Sequence, residues 1–453
     1  MRPADRPDPS RPNPDGADPS GVTERNDPPG RSDQPRRRSL EWLGVRPLAV
    51  LALTGVGAGI GGVGLTLLLH LIQHLAFGYT ENTFLIGVER ASGRRRVLAM
   101  AIGGLIVGLG WWAQRAHLRI ITVREALREH RPRLPIPSTL FDSILQITAV
   151  AFGASLGREG APRQFGASIG LWLAGRAGLS LEQQRTIMAC GAGAGLAAVY
   201  NVPLGGALFT LEVLLASAAR ADIVAAVLTS ATATAVAWPV LSNRPTYSVP
   251  DLHLTATAFT WAIVFGPIAG VAGAAFMRLA ALALRRQPQG WHLPVATTLT
   301  FAFVGAVAIW FPQLLGNGKG AAQLAFDAIP TIALLATLAV LKPLATALCL
   351  RSGATGGLLT PALATGALLG AAAGGIWTHL WPGSPLAAFA IIGAAAVLAT
   401  TQRAPLTAIA LVIEFTHTGE TLLVPIMIAV GTATLTSQHL PGWSHLTNAH
   451  TTT

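Results

Sequence analysis

Outside its first 38 residues the chain carries only 38 charged side chains in 415 positions, while 51% of the whole sequence is hydrophobic. An ordinary soluble domain is charged at roughly a quarter of its residues. A body this poor in charge therefore needs lipid as solvent over most of its surface. About fourteen apolar stretches follow Pro47, among them 47–76, 97–114, 186–200, 221–241, 255–277, 293–311, 356–378 and 420–437. These read as helices, and the fold class is an all-α polytopic membrane protein. Two stretches are short: 15 residues between Asp142 and Arg158, and 10 between Arg403 and Glu414. Both fall below the ~20 residues that cross a bilayer. They imply half-helices ending inside the protein, by which secondary transporters aim helix termini at an ion.

Residues 1–38 hold eight arginines, seven acids and nine of the thirty prolines, with hardly an aliphatic side chain. Such a segment cannot bury enough surface to offset its ordering entropy, so a disordered tail is expected. No secretory signal is expected, because the first apolar run begins only near Arg46. The Arg36, Arg37, Arg38 triplet before the first apolar run favours a cytoplasmic N-terminus, although Arg94, Arg95 and Arg96 after the first span pull the other way. Most of the net charge of +11 sits in loops, where it sets topology. With lysine only at 319 and 342 and no aromatic-basic interleaving, nucleic-acid binding is not expected. Thr122 to Arg131 reads as a short amphipathic helix with Arg124, Glu125, Arg128 and Glu129 on a solvated face. Cys190 and Cys349 lie in separate apolar segments and build neither a disulfide framework nor a zinc site. His70 and His74 share a helical face without a carboxylate pattern, so neither metal nor cofactor is expected.

An internal repeat supports a transporter. Gly191 to Glu212 lies on Gly393 to Glu414 without a gap, with eight of 22 positions identical, including Pro203/Pro405, Leu204/Leu406 and Glu212/Glu414. Upstream, Ala161, Gly166 and Gly170 map onto Pro361, Gly366 and Gly370. Two homologous halves would place a site between them.

Two stretches combine glycine, a break and a helix start: Gly157-Arg158-Glu159-Gly160-Ala161-Pro162 and Gly356-Gly357-Leu358-Leu359-Thr360-Pro361. The first amides of such helices lack intrahelical partners and, with the helix dipole, form an anion site. Partial charges hold chloride without trapping it, which suits conduction. Glu159 is the sole acid between Asp142 and Glu182. Ionised, its carboxylate can take the place of the anion; protonated or displaced, it swings out, so one side chain serves as gate and proton carrier. The bland alternative is a salt bridge to Arg158 or Arg163. Glu212 and Glu414, ending the paired Pro-Leu helices, read as structural acids that accept loop amides or pair with Arg403. Gly153-Ala154-Ser155-Leu156-Gly157 spells a nucleophile elbow, but without a preceding strand an intramembrane serine hydrolase using Ser155 is only the alternative of another class. Gly57 to Gly62 fits a dinucleotide fingerprint, yet mid-span it reads as close helix packing.

At these residues the chain resembles the CLC family of chloride channels and chloride/proton exchangers, from about Leu43 to His445. The resemblance is carried by Gly157-Arg158-Glu159-Gly160, by Gly353 to Pro361, by Tyr200-Asn201-Val202-Pro203-Leu204, and by Arg403-Ala404-Pro405-Leu406-Thr407 leading to Glu414. It implies a homodimer with one anion pathway per subunit and about eighteen helices in two inverted halves, many short or tilted. The transmembrane domain would span 39–445, with repeats at about 97–241 and 255–437 and a tail at 446–453. Both termini would be cytoplasmic in a multi-pass protein of the cell membrane. By the match, Glu159 is the gating glutamate. The Gly157, Arg158, Gly160, Gly357, Leu358, Leu359 and Thr360 region holds the anion, and Leu118, His445 and Leu446 fall at pore-lining positions. The chain departs from the family pattern where His117-Leu118-Arg119-Ile120-Ile121 replaces Gly-Ser-Gly-Ile-Pro, in lacking any tyrosine after Tyr247, and at Val213, which replaces the internal proton-transfer glutamate. A divergent bacterial-type member without cytoplasmic regulatory domains is the expectation. The implied activity is chloride transport, in exchange for protons or as a passive channel, and not an enzymatic reaction.

Overall fold

The computed structural model describes residues 44–80, 83–250, 252 and 255–440. The tails at 1–38 and 446–453, with His445 and Leu446, lie outside the described residues. The first half contains α1 (Val45–Phe77), α2 (Phe84–Arg90), α3 (Gly93–His117), α4 (Val123–Arg128), α5 (Ile136–Ala151) and α6 (Gly160–Arg176). It continues with α7 (Leu181–Tyr200), α8 (Pro203–Leu208) and α9 (Arg220–Leu241). The second contains α10 (Ala256–Leu284), α11 (His292–Val307), α12 (Lys319–Asp327), α13 (Ile332–Arg351) and α14 (Leu359–Leu380). After these come α15 (Leu386–Gln402), α16 (Pro405–Thr416) and α17 (Leu423–Gln438). A π-helical turn, Phe209–Leu215, and a 3₁₀ turn, Pro312–Leu314, complete an all-helical fold that meets the expectation of about eighteen helices.

Among the described residues six helices, α1, α3, α9, α10, α13 and α14, are long and apolar enough to cross a membrane. The short stretches form α5, of 16 residues, and α16, of 12. A helix of twelve residues rises about 18 Å, well short of a ~30 Å hydrocarbon core. Large apolar side chains such as Leu67, Leu71, Ile263 and Phe303 remain exposed on the outer faces, as a lipid-solvated body allows.

The repeat seen in the sequence has a conformational counterpart. A capping box, Ser180 with Gln183, opens α7. The helix then ends at Asn201 in the left-handed region (φ 56°), and α15 ends in the same way at Arg403 (φ 54°). Two residues beyond each, Pro203 and Pro405 start α8 and α16, where a missing N–H costs nothing. The matched glycines mark equivalent crossings. A Cβ on Gly166 would strike the Gly191 carbonyl, and one on Gly366 the Gly393 carbonyl, so only glycine lets α6 approach α7, and α14 approach α15, this closely. The glycines of α1 do the same: Gly55 and Gly59 sit against the carbonyls of Thr229 and Ala233 in α9.

Two of the three arginines after the first span, Arg95 and Arg96, hold helix ends. Arg96, 8% exposed, donates to the carbonyls of Val88, Glu89, Ala91, Ala308 and Ile309 at 2.8–3.2 Å. Arg95 donates to Leu75 and Ala76 at the end of α1. These carbonyls lie at helix ends, where C=O groups lack intrahelical donors and the dipole favours a cation. Lys342, fully buried in α13, likewise donates to the Leu314 and Gly316 carbonyls. Arg96→Met strands several buried acceptors at once and is expected to cost about 3 kcal/mol or more. A lowered melting temperature of the detergent-solubilised protein checks this, and an unchanged one would refute the clamp.

Candidate functional site

The two glycine-rich stretches, 200 residues apart in sequence, touch. Gly157 and Gly357 form an isolated antiparallel bridge, with Gly157 N–H donating to the Gly357 carbonyl at 2.6 Å and Gly357 N–H to the Gly157 carbonyl at 2.9 Å. From this bridge α6 departs at Gly160 and α14 at Leu359, so both N-termini open beside it. Any Cβ on Gly157 or Gly357 would overlap the Glu159 carboxylate, which explains glycine at both positions. The two N–H groups expected among the anion donors are therefore committed to each other. The donors of this region that lack an intrahelical partner are the first-turn amides of α6 and α14.

Glu159 is fully buried. Its Oε1 accepts the Leu359 N–H of α14 at 2.7 Å, and its Oε2 accepts the Thr360 hydroxyl at 3.2 Å. The carboxylate of one half thus occupies the helix N-terminus of the other, where a negative charge is stabilised by amide and dipole. The salt bridge to Arg158 or Arg163 allowed by spacing is not what it makes. Arg158 donates to the Val199 carbonyl at 3.2 Å and lies over the Tyr200 ring, while Arg163 lies over the Phe209 ring, each 4.9 Å from the ring centre.

Sequence reasoning missed Tyr200 as part of the site. Its hydroxyl lies 2.8 Å from Thr360 Oγ1 and 3.4 Å from Glu159 Oε2, so α7 supplies a phenol where the later segment supplies none. Its place in the quoted Tyr-Asn-Val-Pro-Leu motif was visible, but its distance from Glu159 was not. Asp142 was read only as a segment boundary. It is buried 2% exposed and accepts from Trp111 Nε1 at 3.0 Å and Gln146 Nε2 at 2.7 Å. The Gln146 side-chain oxygen in turn faces Gly160. A buried polar network therefore supports the start of α6.

Glu212 and Glu414 cap across the halves, as the structural reading expected. Glu414 accepts the Leu204 and Gly205 N–H groups at the start of α8. Glu212 accepts the Leu406 and Thr407 N–H groups, and the Thr407 hydroxyl, at the start of α16. Glu212 and Val213 line a cavity of about 420 Å³ that reaches the Gly356–Leu358 backbone. Arg124, half-buried, and Arg128, exposed, line it as well, so part of the solvated face expected of α4 opens on this cavity. The sequence pattern shows α4 to be amphipathic but not what packs opposite it. Leu118 caps α3, is 41% exposed and does not line this cavity. Ser155 is buried with its hydroxyl 3.3 Å from Thr346 Oγ1, not beside a histidine, so the geometry does not support the hydrolase alternative.

Repeated halves whose broken helices converge on a buried acid define a polytopic membrane transport protein. The sequence pattern of the voltage gated chloride channel family matches residues 99–438. The chain belongs to that family, the CLC proteins. It is 30% identical to the H(+)/Cl(−) exchange transporter ClcA of Vibrio vulnificus, over 86% of each chain. It is 29% identical to the voltage-gated ClC-type chloride channel ClcB of Citrobacter koseri, over 87% of this chain and 96% of the relative. The crystal structure of a slow cyanobacterial Cl−/H+ antiporter superposes with a TM-score of 0.79 at 23% identity, covering 90% of this chain and 99% of that one.

Tyr200→Phe removes one hydroxyl from the Glu159–Thr360 cluster while leaving the ring. It is expected to destabilise the protein by about 1 kcal/mol, measured by thermal unfolding in detergent, and a neutral result would mean that the phenol adds nothing to this cluster.

Proposed function

We propose that the protein moves chloride across the membrane in exchange for protons, with Glu159 as both gate and proton carrier. The observation that carries this reading is the Glu159 carboxylate seated on the Leu359 amide at the start of α14. An ionised carboxylate and a halide need the same donors, so they compete for one place. Protonation removes the charge that holds the side chain there and frees the amide for the ion. The first-turn amides around Gly160, Leu358, Leu359 and Thr360, with the Thr360 and Tyr200 hydroxyls and the Arg158 backbone, then hold the anion by partial charges. The names of the ClcA relative and of the cyanobacterial structure, each a chloride/proton exchanger, support the same activity.

The reading includes one transmembrane domain over 39–445 with repeats at about 97–241 and 255–437, cytoplasmic termini, and a homodimer in lipid with one pathway per subunit. Val213 leaves no acid at the internal proton position, so protons would reach Glu159 by water in the adjoining cavity. The alternative, a passive chloride channel, shares the anion path and differs only in proton movement.

Purified protein in liposomes is expected to release chloride and to drive proton uptake on a chloride gradient. Glu159→Gln is expected to change chloride flux severalfold and reduce linked proton movement to background. Transport unchanged in that variant would remove Glu159 from the gate, and chloride flux without proton uptake in the wild type would establish the passive channel.

A further inference from the structure

The cavity beside the Gly356–Leu358 backbone is lined by four arginines from three separate elements: Arg124 and Arg128 of α4, Arg163 of α6, and Arg403 at the break between α15 and α16. The one acid in its lining is Glu212, whose two oxygens already accept the Leu406 and Thr407 donors. Arg163 stands one helical turn beyond Glu159, with its guanidinium carbon over the Phe209 ring. We propose that this chamber binds a multiply charged tetrahedral oxyanion, of the phosphate and sulfate class, which blocks the anion path. The proposal rests on the transport reading above.

Three physical arguments carry it. First, the space is about 420 Å³, room for on the order of ten waters, far more than a single halide fills. Second, guanidinium groups present planar forks that match the oxygens of phosphate or sulfate in bidentate fashion, and a spherical halide cannot use that geometry. Third, like charges crowd here: burial, then Arg163, Arg128 and Arg403, pull the Arg124 guanidinium down to about 10. A dianion relieves that repulsion more than a monovalent ion does. Passage requires binding weak enough to release the ion, which helix amides supply and several full charges do not. An oxyanion held by these arginines is therefore retained. Because the chamber adjoins Gly356, Gly357 and Leu358, its occupant obstructs access to the start of α14.

The test uses the full-length protein in liposomes, with chloride efflux measured at rising sodium sulfate, or inorganic phosphate, on both faces at constant ionic strength. Sulfate is expected to inhibit, and calorimetry in detergent is expected to show it binding more tightly than nitrate. Arg163→Gln is expected to raise the inhibitory sulfate concentration by about tenfold, as loss of a charge-assisted bidentate contact would. Arg163→Lys, which keeps the charge without the fork, is expected to fall between, and Arg128→Gln at the rim gives a second reading should the buried variant fail to fold. Chloride efflux insensitive to sulfate, or sulfate carried as fast as chloride, overturns the proposal. Absence of any chloride efflux in sulfate-free vesicles would instead overturn the transport reading, leaving sulfate binding by calorimetry to decide whether the chamber is a site.

Discussion

The pairing of Gly157 with Gly357 fastens the start of α6 to the start of α14, and the site follows from that attachment. Two peptide hydrogen bonds set the separation of the two helix N-termini. At that separation a carboxylate standing just ahead of one helix reaches the first amide of the other. The geometry needs glycine on both sides, because a methyl group at either would occupy the volume of the carboxylate. Backbone rigidity, charge placement and residue choice are thus one constraint seen at three levels.

The same exchange between halves recurs away from the centre. Glu414 satisfies the start of α8 and Glu212 the start of α16, so each half supplies the anionic cap that the other lacks. Half-helices that begin inside a membrane expose unpaired N–H groups, which are costly in hydrocarbon. Reciprocal capping removes that cost and makes each half incomplete without its partner. The acids are accordingly structural, although an acid within an apolar segment invites a functional reading.

Much of this was legible in the sequence because membrane helices, breaks and glycine crossings leave local signals. The low charge, the short stretches before Arg158 and after Arg403, and the matched Pro-Leu and Glu positions correspond to observed helices, breaks and caps. Glu159 stood out as the one acid between Asp142 and Glu182, at a helix start. Long-range placement was not legible. Nothing local indicates that the Tyr200 hydroxyl meets Thr360, that Gly157 and Gly357 use up each other's amides, or that Arg124 faces Arg163 and Arg403 across a cavity. The amphipathic pattern of α4 identifies a polar face without saying whether bulk water or a chamber wall lies against it.

Arg96 carries a consequence for biosynthesis. Three of its carbonyl partners lie within eight residues, but the other two, Ala308 and Ile309, are synthesised more than 200 residues later. Until α11 arrives, a guanidinium destined for burial is only partly satisfied. A chain truncated before that point lacks two of the five acceptors of this cation, so the late-made segment completes a contact that the first half begins.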